Sequence, residues 1–138
     1  SEGSRKEVIE AIVGQLRDIE GVKLIDYYPD FNFNRTVAEV VGKTKALKEA
    51  LLNMAGKSYE LIDMEEQSGD HPRIGAQDTI PIFPLANITL KECVSLAEEI
   101  GQEIYKRRSS DLSIFQEKMP EARNERTWIL SEKDNMRD

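Results

Sequence analysis

The sequence predicts a two-layer α+β domain, a ferredoxin-like sandwich with helices on one face of a mainly antiparallel sheet. Three observations carry that expectation. Helical and extended patterns follow one another in the order helix, strand, strand, helix, strand, helix. Two short runs rich in β-branched residues lie close together, separated by turn residues. The helical segments place their apolar residues on one face. Three strands make a thin sheet, and the first helix has no strand before it. The plan therefore reads as ferredoxin-like with its opening strand missing.

The first helix should begin at the capping-box sequence Ser4-Arg5-Lys6-Glu7, whose hydroxyl and carboxylate suit the free N–H groups of a first turn. Val8, Ile9, Ile12, Val13, Leu16 and Ile19 follow at helical spacing, and Gly21 suits the stop. Residues 22–27 read as a strand and Pro29-Asp30 as a turn. Residues 35–41 read as a second strand, because Thr36, Val37, Val40 and Val41 are β-branched, and Gly42 ends it. The two should form an antiparallel hairpin with a loop of about seven residues. A long helix is expected over residues 44–62, with Leu47, Ala50, Leu51, Met54, Ala55 and Tyr59 on one face. Residues 65–75 are polar. Residues 78–85 read as extended, but Pro81 and Pro84 cannot donate ladder hydrogen bonds, so an edge or partly irregular strand is expected. A second capping box, Thr89-Leu90-Lys91-Glu92, opens a helix to about residue 107, with Cys93, Ala97, Ile100 and Ile104 on its buried face. Beyond it, Leu112, Phe115 and Met119 suit a short helix before Pro120. Residues 127–130 suit a short strand or a docked Trp128, and the polar end should fray.

A chain of 138 residues suits one domain with one modest core. Hydrophobic residues at 39% against charged residues at 33% fit a soluble globular chain rather than a disordered one. The net charge of −7 argues against non-specific binding to nucleic acid or to anionic membranes. The short basic run Lys106-Arg107-Arg108 is flanked by Glu103 and Asp111 and reads as a solvated helix end. A single cysteine, Cys93, excludes an intrachain disulfide and fits a reducing cytoplasm, where it reads as a buried structural thiol. One Cys and one His do not supply a zinc site, so no metal is expected. No apolar run approaches the ~18 residues that cross a bilayer, and no secretory leader is expected. Gly-x-Gly-x-x-Gly, the phosphate-binding Gly-Lys-Ser/Thr loop, Gly-x-Ser-x-Gly and His-Glu-x-x-His are all absent.

The residue types that make a polar site concentrate in Gly69-Asp70-His71-Pro72-Arg73-Ile74-Gly75-Ala76. His71 is the only histidine in the chain, and imidazole exchanges a proton near neutral pH. Pro72 biases it towards extended backbone, and Gly69 and Gly75 permit positive φ or close approach of a ligand. Two readings fit these residues. In one, His71 is a general acid or base and Arg73 binds an anion. In the other, the segment is a turn whose histidine bonds a carbonyl. A second cluster, Asp26, Asp30, Asn32, Asn34 and Arg35, offers a guanidinium and amides to a polar substrate, but Asx turn chemistry explains several of its members equally well. Asp63, Glu65 and Glu66 read as a solvent-facing acidic group.

Together with Ser1-Glu2-Gly3, Gly21-Val22-Lys23-Leu24-Ile25-Asp26, Asn34-Arg35-Thr36-Val37, Tyr59-Glu60-Leu61-Ile62-Asp63-Met64 and Thr89-Leu90-Lys91-Glu92-Cys93, the histidine segment resembles the N-terminal subdomain of the formiminotransferases. These are the glutamate formimidoyltransferases of histidine breakdown, also found fused to a cyclodeaminase. The resemblance runs in order over residues 1 to about 104. It implies transfer of a formimino group from formiminoglutamate to tetrahydrofolate as co-substrate, with His71 as the catalytic base. It places Asp26, Asn34, Arg35, Asp70, Arg73 and Gly75 at the substrate, with the arginines suited to substrate carboxylates. It divides the chain into a subdomain over residues 1–108 and an extension over 109–138. The chain departs from the family in having Phe33 where a histidine is usual, no strand before Ser1, and no recognisable strand soon after residue 108. The complete enzymes also have a second subdomain, with the folate site between the two, and they are dimers. A homo-oligomer, or a partner supplying the missing half, is therefore implied. The alternative is a non-catalytic folate-binding or assembly module.

Overall fold

The computed structural model describes residues 1–70 and 75–109. Among them are three helices and one antiparallel two-stranded sheet: α1 (Lys6–Val13), a 3-10 turn (Gly14–Leu16), β1 (Val22–Asp30), β2 (Arg35–Gly42), α2 (Thr44–Leu61) and α3 (Leu90–Ser109). The chain is thus α+β. It divides into two compact units, Ser1–Asp78 and a second beginning at Thr79. The helix expected near residues 112–119, the strand at 127–130 and the frayed end lie outside the described residues.

In the first unit, α1 starts without the Ser4–Glu7 capping box. Its N-cap is Arg5, which makes no side-chain cap bond, and the Ser4 hydroxyl donates instead to the Glu2 carboxylate at 3.0 Å. The Ser4 backbone N–H, which the box would give to Glu7, also donates to Glu2, at 2.9 Å. The helix also stops earlier than Gly21. It tightens into the 3-10 turn at Gly14, and Arg17 is already extended. Asp18 at φ 56° and Gly21 at φ 82° then turn the chain into β1.

β1 runs two residues beyond Tyr28 through the expected Pro29-Asp30 turn, and the connection to β2 is four residues, 31–34, rather than seven. Pro29 is tolerated opposite Thr36 because a strand of a two-stranded sheet needs N–H donors on one side only. The Asp30 carboxylate accepts the Phe33 N–H at 2.8 Å, and Asn34 closes the turn at φ 50°. The register slips between Leu24 and Asp26, so Ile25 is an unpaired bulge residue, 56% exposed. The bulge keeps both halves of β1 in phase with β2. Leu24 opposes Val40 and Tyr27 opposes Ala38 on the half-buried face, while Tyr28 opposes Val37 on the outer face.

α2 packs on α1, on the 3-10 turn and on both strands. Ala50, Leu51, Met54 and Ala55 are buried as the spacing predicts, and Leu52 and Ser58 join them; Leu47 and Tyr59 are half-buried. Ser58 satisfies its hydroxyl on the Met54 carbonyl at 2.9 Å. Ile9, Val13 and Leu16 complete this core, with Leu16 wholly inaccessible.

In the second unit, residues 79–89 form no strand. Pro81 and Pro84 remove two of the donors a ladder would need, and the edge or partly irregular strand expected over residues 78–85 does not form. At the second capping-box sequence the side-chain cap of the helix forms. The Glu92 N–H donates to Thr89 Oγ1 at 3.1 Å, and that hydroxyl donates to Glu92 Oε1 at 3.2 Å. Cys93, Ala97, Ile100 and Ile104 are buried on α3 as expected, together with Leu96. Lys106 and Arg107 at its end are exposed, and Arg107 pairs with Glu103 at 3.1 Å.

Candidate functional site

Residues 71–74, which include His71 and Arg73, lie outside the described residues. The segments that lead into and out of them are described; both are tied to the first three residues of the chain, and the first also to the hairpin tip.

The approach is held by Asn34. Its φ of 50° is one that asparagine tolerates and most residues do not. From there its side-chain oxygen accepts the Gly3 N–H at 2.9 Å. Its amide nitrogen donates to Gln67 Oε1 at 2.6 Å and to the Ser68 carbonyl at 3.0 Å. Two residues on, the Asp70 N–H donates to the Asn32 carbonyl at 3.1 Å. On the far side, the Gly75 N–H donates to Asp78 Oδ1 at 3.1 Å. The Gly75 carbonyl accepts from Ser1 Oγ at 2.7 Å, and the Ala76 carbonyl from the Ser1 nitrogen at 2.7 Å.

The Ser1-Glu2-Gly3 segment is itself locked to the hairpin. The Thr36 hydroxyl donates to the Glu2 carbonyl at 2.6 Å. Gly3 lies so close to the Asp30 carbonyl and to the Arg35 backbone that a Cβ there would overlap both. The Glu2 side chain turns inward and is 2% exposed. One oxygen accepts the Ser4 and Arg5 N–H groups, each at 2.9 Å, and the other accepts Arg5 Nε at 2.6 Å and Gln67 Nε2 at 3.2 Å. Burial alone would raise its pKa, but the Arg5 and Ser4 backbone N–H groups, the guanidinium and the Ser4 hydroxyl outweigh burial and hold it at about 2. Beside this carboxylate an open cavity of about 430 Å³ is bounded by Arg5, Phe31, Asn34, Glu66 and Gln67.

The predicted substrate residues are therefore only partly gathered. Asn34, Asp70 and Gly75 belong to one bonded neighbourhood. Arg35 is half-buried at the start of β2, its guanidinium 5.6 Å from the centre of the Phe33 ring. Asp26 is four residues down β1 from Asp30, roughly 13 Å at strand rise, on the exposed face, where its carboxylate accepts the Tyr27 N–H at 2.8 Å. Turn chemistry accounts for Asp30, but Asn34 bonds residues more than thirty positions away. Asp63, Glu65 and Glu66 face solvent as expected. Among the described residues no group of His, Cys, Asp and Glu could hold a metal ion, and no helix is long and apolar enough to cross a membrane.

Sequence reasoning assigned no role to Glu2 or Gln67. Glu2 caps from three residues ahead of the N-cap, outside the window in which capping patterns are read. Its one signal is an acidic residue followed by glycine just before a capping-box sequence. Gln67 sits in a polar stretch with no pattern of its own.

A second polar group lies across α1 and β1. Tyr27 donates its hydroxyl to Glu10, Arg17 pairs with Glu10 at 2.9 Å, and the guanidinium lies 5.6 Å from the Tyr27 ring centre. The tyrosine hydroxyl, then the guanidinium, lower the Glu10 pKa, and the same carboxylate raises that of Tyr27. This group ties the 3-10 turn to the sheet.

The family profile described as formiminotransferase domain, N-terminal subdomain, matches residues 1–130. A glutamate formimidoyltransferase from Streptococcus pyogenes serotype M1 is 33% identical over 126 residues, covering 90% of this chain and 42% of that protein. A formimidoyltransferase-cyclodeaminase from Gallus gallus is 42% identical over 104 residues, covering 75% of this chain and 19% of that protein. A glutamate formimidoyltransferase from Thermoplasma acidophilum is 33% identical over 104 residues, covering 75% and 34%. The chain spans less than half the length of each of these curated relatives.

Proposed function

The chain belongs to the formiminotransferase family, as its N-terminal subdomain, and from that premise we propose that it is the N-terminal half of a glutamate formimidoyltransferase. The reaction moves a formimino group from formiminoglutamate to tetrahydrofolate, the co-substrate, in histidine degradation. The observation that carries this reading is the family match over residues 1–130, which includes the Gly69–Ala76 segment with the chain's only histidine.

His71 acts as the general base. It takes a proton from the attacking folate nitrogen as a new bond forms to the formimino carbon. The bond from that carbon to the glutamate nitrogen then breaks, and the glutamate amine leaves carrying a proton. Arg73 and Arg35 bind substrate carboxylates, for which the guanidinium fork is suited. Asn34, Asp70 and Gly75 line or support the same channel, and Asp26 serves the substrate from farther down β1. Residues 1–108 form a ferredoxin-like subdomain, and residues 109–138 an extension. The working assembly is a cytoplasmic homo-oligomer, or this chain with a partner that supplies the second subdomain.

One structural observation favours a second reading, a non-catalytic folate-binding or assembly module. Ile25, Tyr28 and Val37 leave apolar surface on or beside the outer face of the two-stranded sheet, between 47% and 56% exposed. Such a face suits a partner surface.

The two are separated by assaying formimino transfer from formiminoglutamate to tetrahydrofolate, alongside folate binding. The catalytic reading expects transfer that falls roughly 10²–10⁴-fold in His71→Ala, and weakened formiminoglutamate binding in Arg73→Gln. Transfer that survives His71→Ala removes the base assignment. Folate binding without any transfer favours the module.

A further inference from the structure

The Glu2 carboxylate has five hydrogen-bond partners. Four of them, the Ser4 and Arg5 N–H groups, the Ser4 hydroxyl and Arg5 Nε, lie within three residues and only organise the start of α1. The fifth, Gln67, lies 65 residues away on the approach to residues 71–74. That bond is not needed to cap a helix.

Its consequence is directional. An ionised carboxylate only accepts, and the Ser4 and Arg5 bonds hold Glu2 ionised far below neutral pH. Gln67 must therefore turn its amide nitrogen to Glu2, which turns its oxygen to Asn34. Asn34 must answer with its own amide nitrogen, which leaves its oxygen for the Gly3 N–H and a second N–H for the Ser68 carbonyl. Gly3 is the residue after Glu2, so the circuit closes. Every amide in it has one orientation, set by one negative charge. The circuit joins three pieces of chain that share no secondary structure: the first three residues, the hairpin tip and the 67–70 approach.

We propose that Glu2, Gln67 and Asn34 are positioning residues, a charge-oriented circuit that fixes the Ser68–Asp70 backbone from which the Gly69–Ala76 segment proceeds. The role of that segment in transfer rests on the function proposed above; the circuit does not.

The test uses Gln67→Leu and Asn34→Asp. Gln67→Leu keeps the volume of a half-buried side chain and removes both of its bonds. Asn34→Asp tolerates the same positive φ and still accepts the Gly3 N–H. It replaces the N–H groups facing Gln67 Oε1 and the Ser68 carbonyl with an oxygen. Amide hydrogen exchange is followed residue by residue, with the α2 amides reporting that the fold is intact. The circuit expects the Asp70 amide, bonded to the Asn32 carbonyl, to exchange roughly tenfold faster in both variants, with α2 unchanged. In the complete enzyme Gln67→Leu should lower kcat while KM holds. Unchanged Asp70 exchange in two folded variants overturns the proposal. Exchange needs no turnover, so a chain that transfers nothing still decides it. Intact transfer with unchanged exchange would remove the circuit and leave the proposed reaction standing.

Discussion

Glu2→Gln is the most informative single change for stability. The substitution keeps the shape of the side chain and removes its charge. It also places an amide N–H group where Arg5 Nε and Gln67 Nε2 already donate, so at least two donors lose their acceptor. The carboxyl pKa is 4.5 in the absence of the fold and about 2 within it. A depressed carboxyl pKa contributes stability that is present above the unfolded value and lost as pH falls through the folded one. At about 1.4 kcal/mol per unit, the linkage is worth roughly 3 kcal/mol at neutral pH. The side chain is 2% exposed, so solvent does little to screen it. The assay is urea unfolding of both proteins at constant ionic strength between pH 7 and pH 3. The gap between them should be roughly 3 kcal/mol at pH 7 and narrow to about half of that near pH 3. A gap below about 1 kcal/mol at pH 7, or one that does not change with pH, would refute the assignment of Glu2 as a buried, ionised hub.

Gly3→Ala should destabilise the first unit by about 2 kcal/mol or more, because the new Cβ meets the Asp30 carbonyl and the Arg35 backbone, which cannot give way as a side chain would. Thermal unfolding checks this, and a wild-type melting temperature would mean that the first three residues do not pack on the hairpin. Leu16→Ala removes a wholly inaccessible side chain from beneath α2 and should cost about 2–5 kcal/mol by denaturant unfolding; a loss under about 1 kcal/mol would mean that the 3-10 turn is not part of the core.

Some elements were readable because their causes are local. The apolar spacing of Ala50, Leu51, Met54 and Ala55 marked the buried face of α2, and Thr89 and Glu92 marked the start of α3, three residues apart. The hairpin was legible as two strands, but its loop was not. Pro29-Asp30 is a turn pair in isolation, and it became strand because Arg35 and Thr36 were available opposite it. The bulge at Ile25 left no trace in the residue pattern, since a bulge is a property of two strands in register. The Ser4–Glu7 pattern had the right composition for a cap and failed because Glu2 accepts the Ser4 backbone N–H that Glu7 would have taken, and the helix starts one residue later, after Arg5.

The candidate site divides the same way. Composition singled out His71 and its neighbours, because an imidazole between a carboxylate and a guanidinium is rare enough to notice in a line of text. Helix faces, a capping box and the α+β class were likewise settled by interactions that span a turn or two of chain. The support around that segment was not. Asn34 bonds Gly3 across 31 positions, Gln67 bonds Glu2 across 65, and Ser1 bonds Ala76 across 75. Such partners are chosen by where folded segments cross, and the desolvation of one buried carboxylate then dictates which way each amide must face.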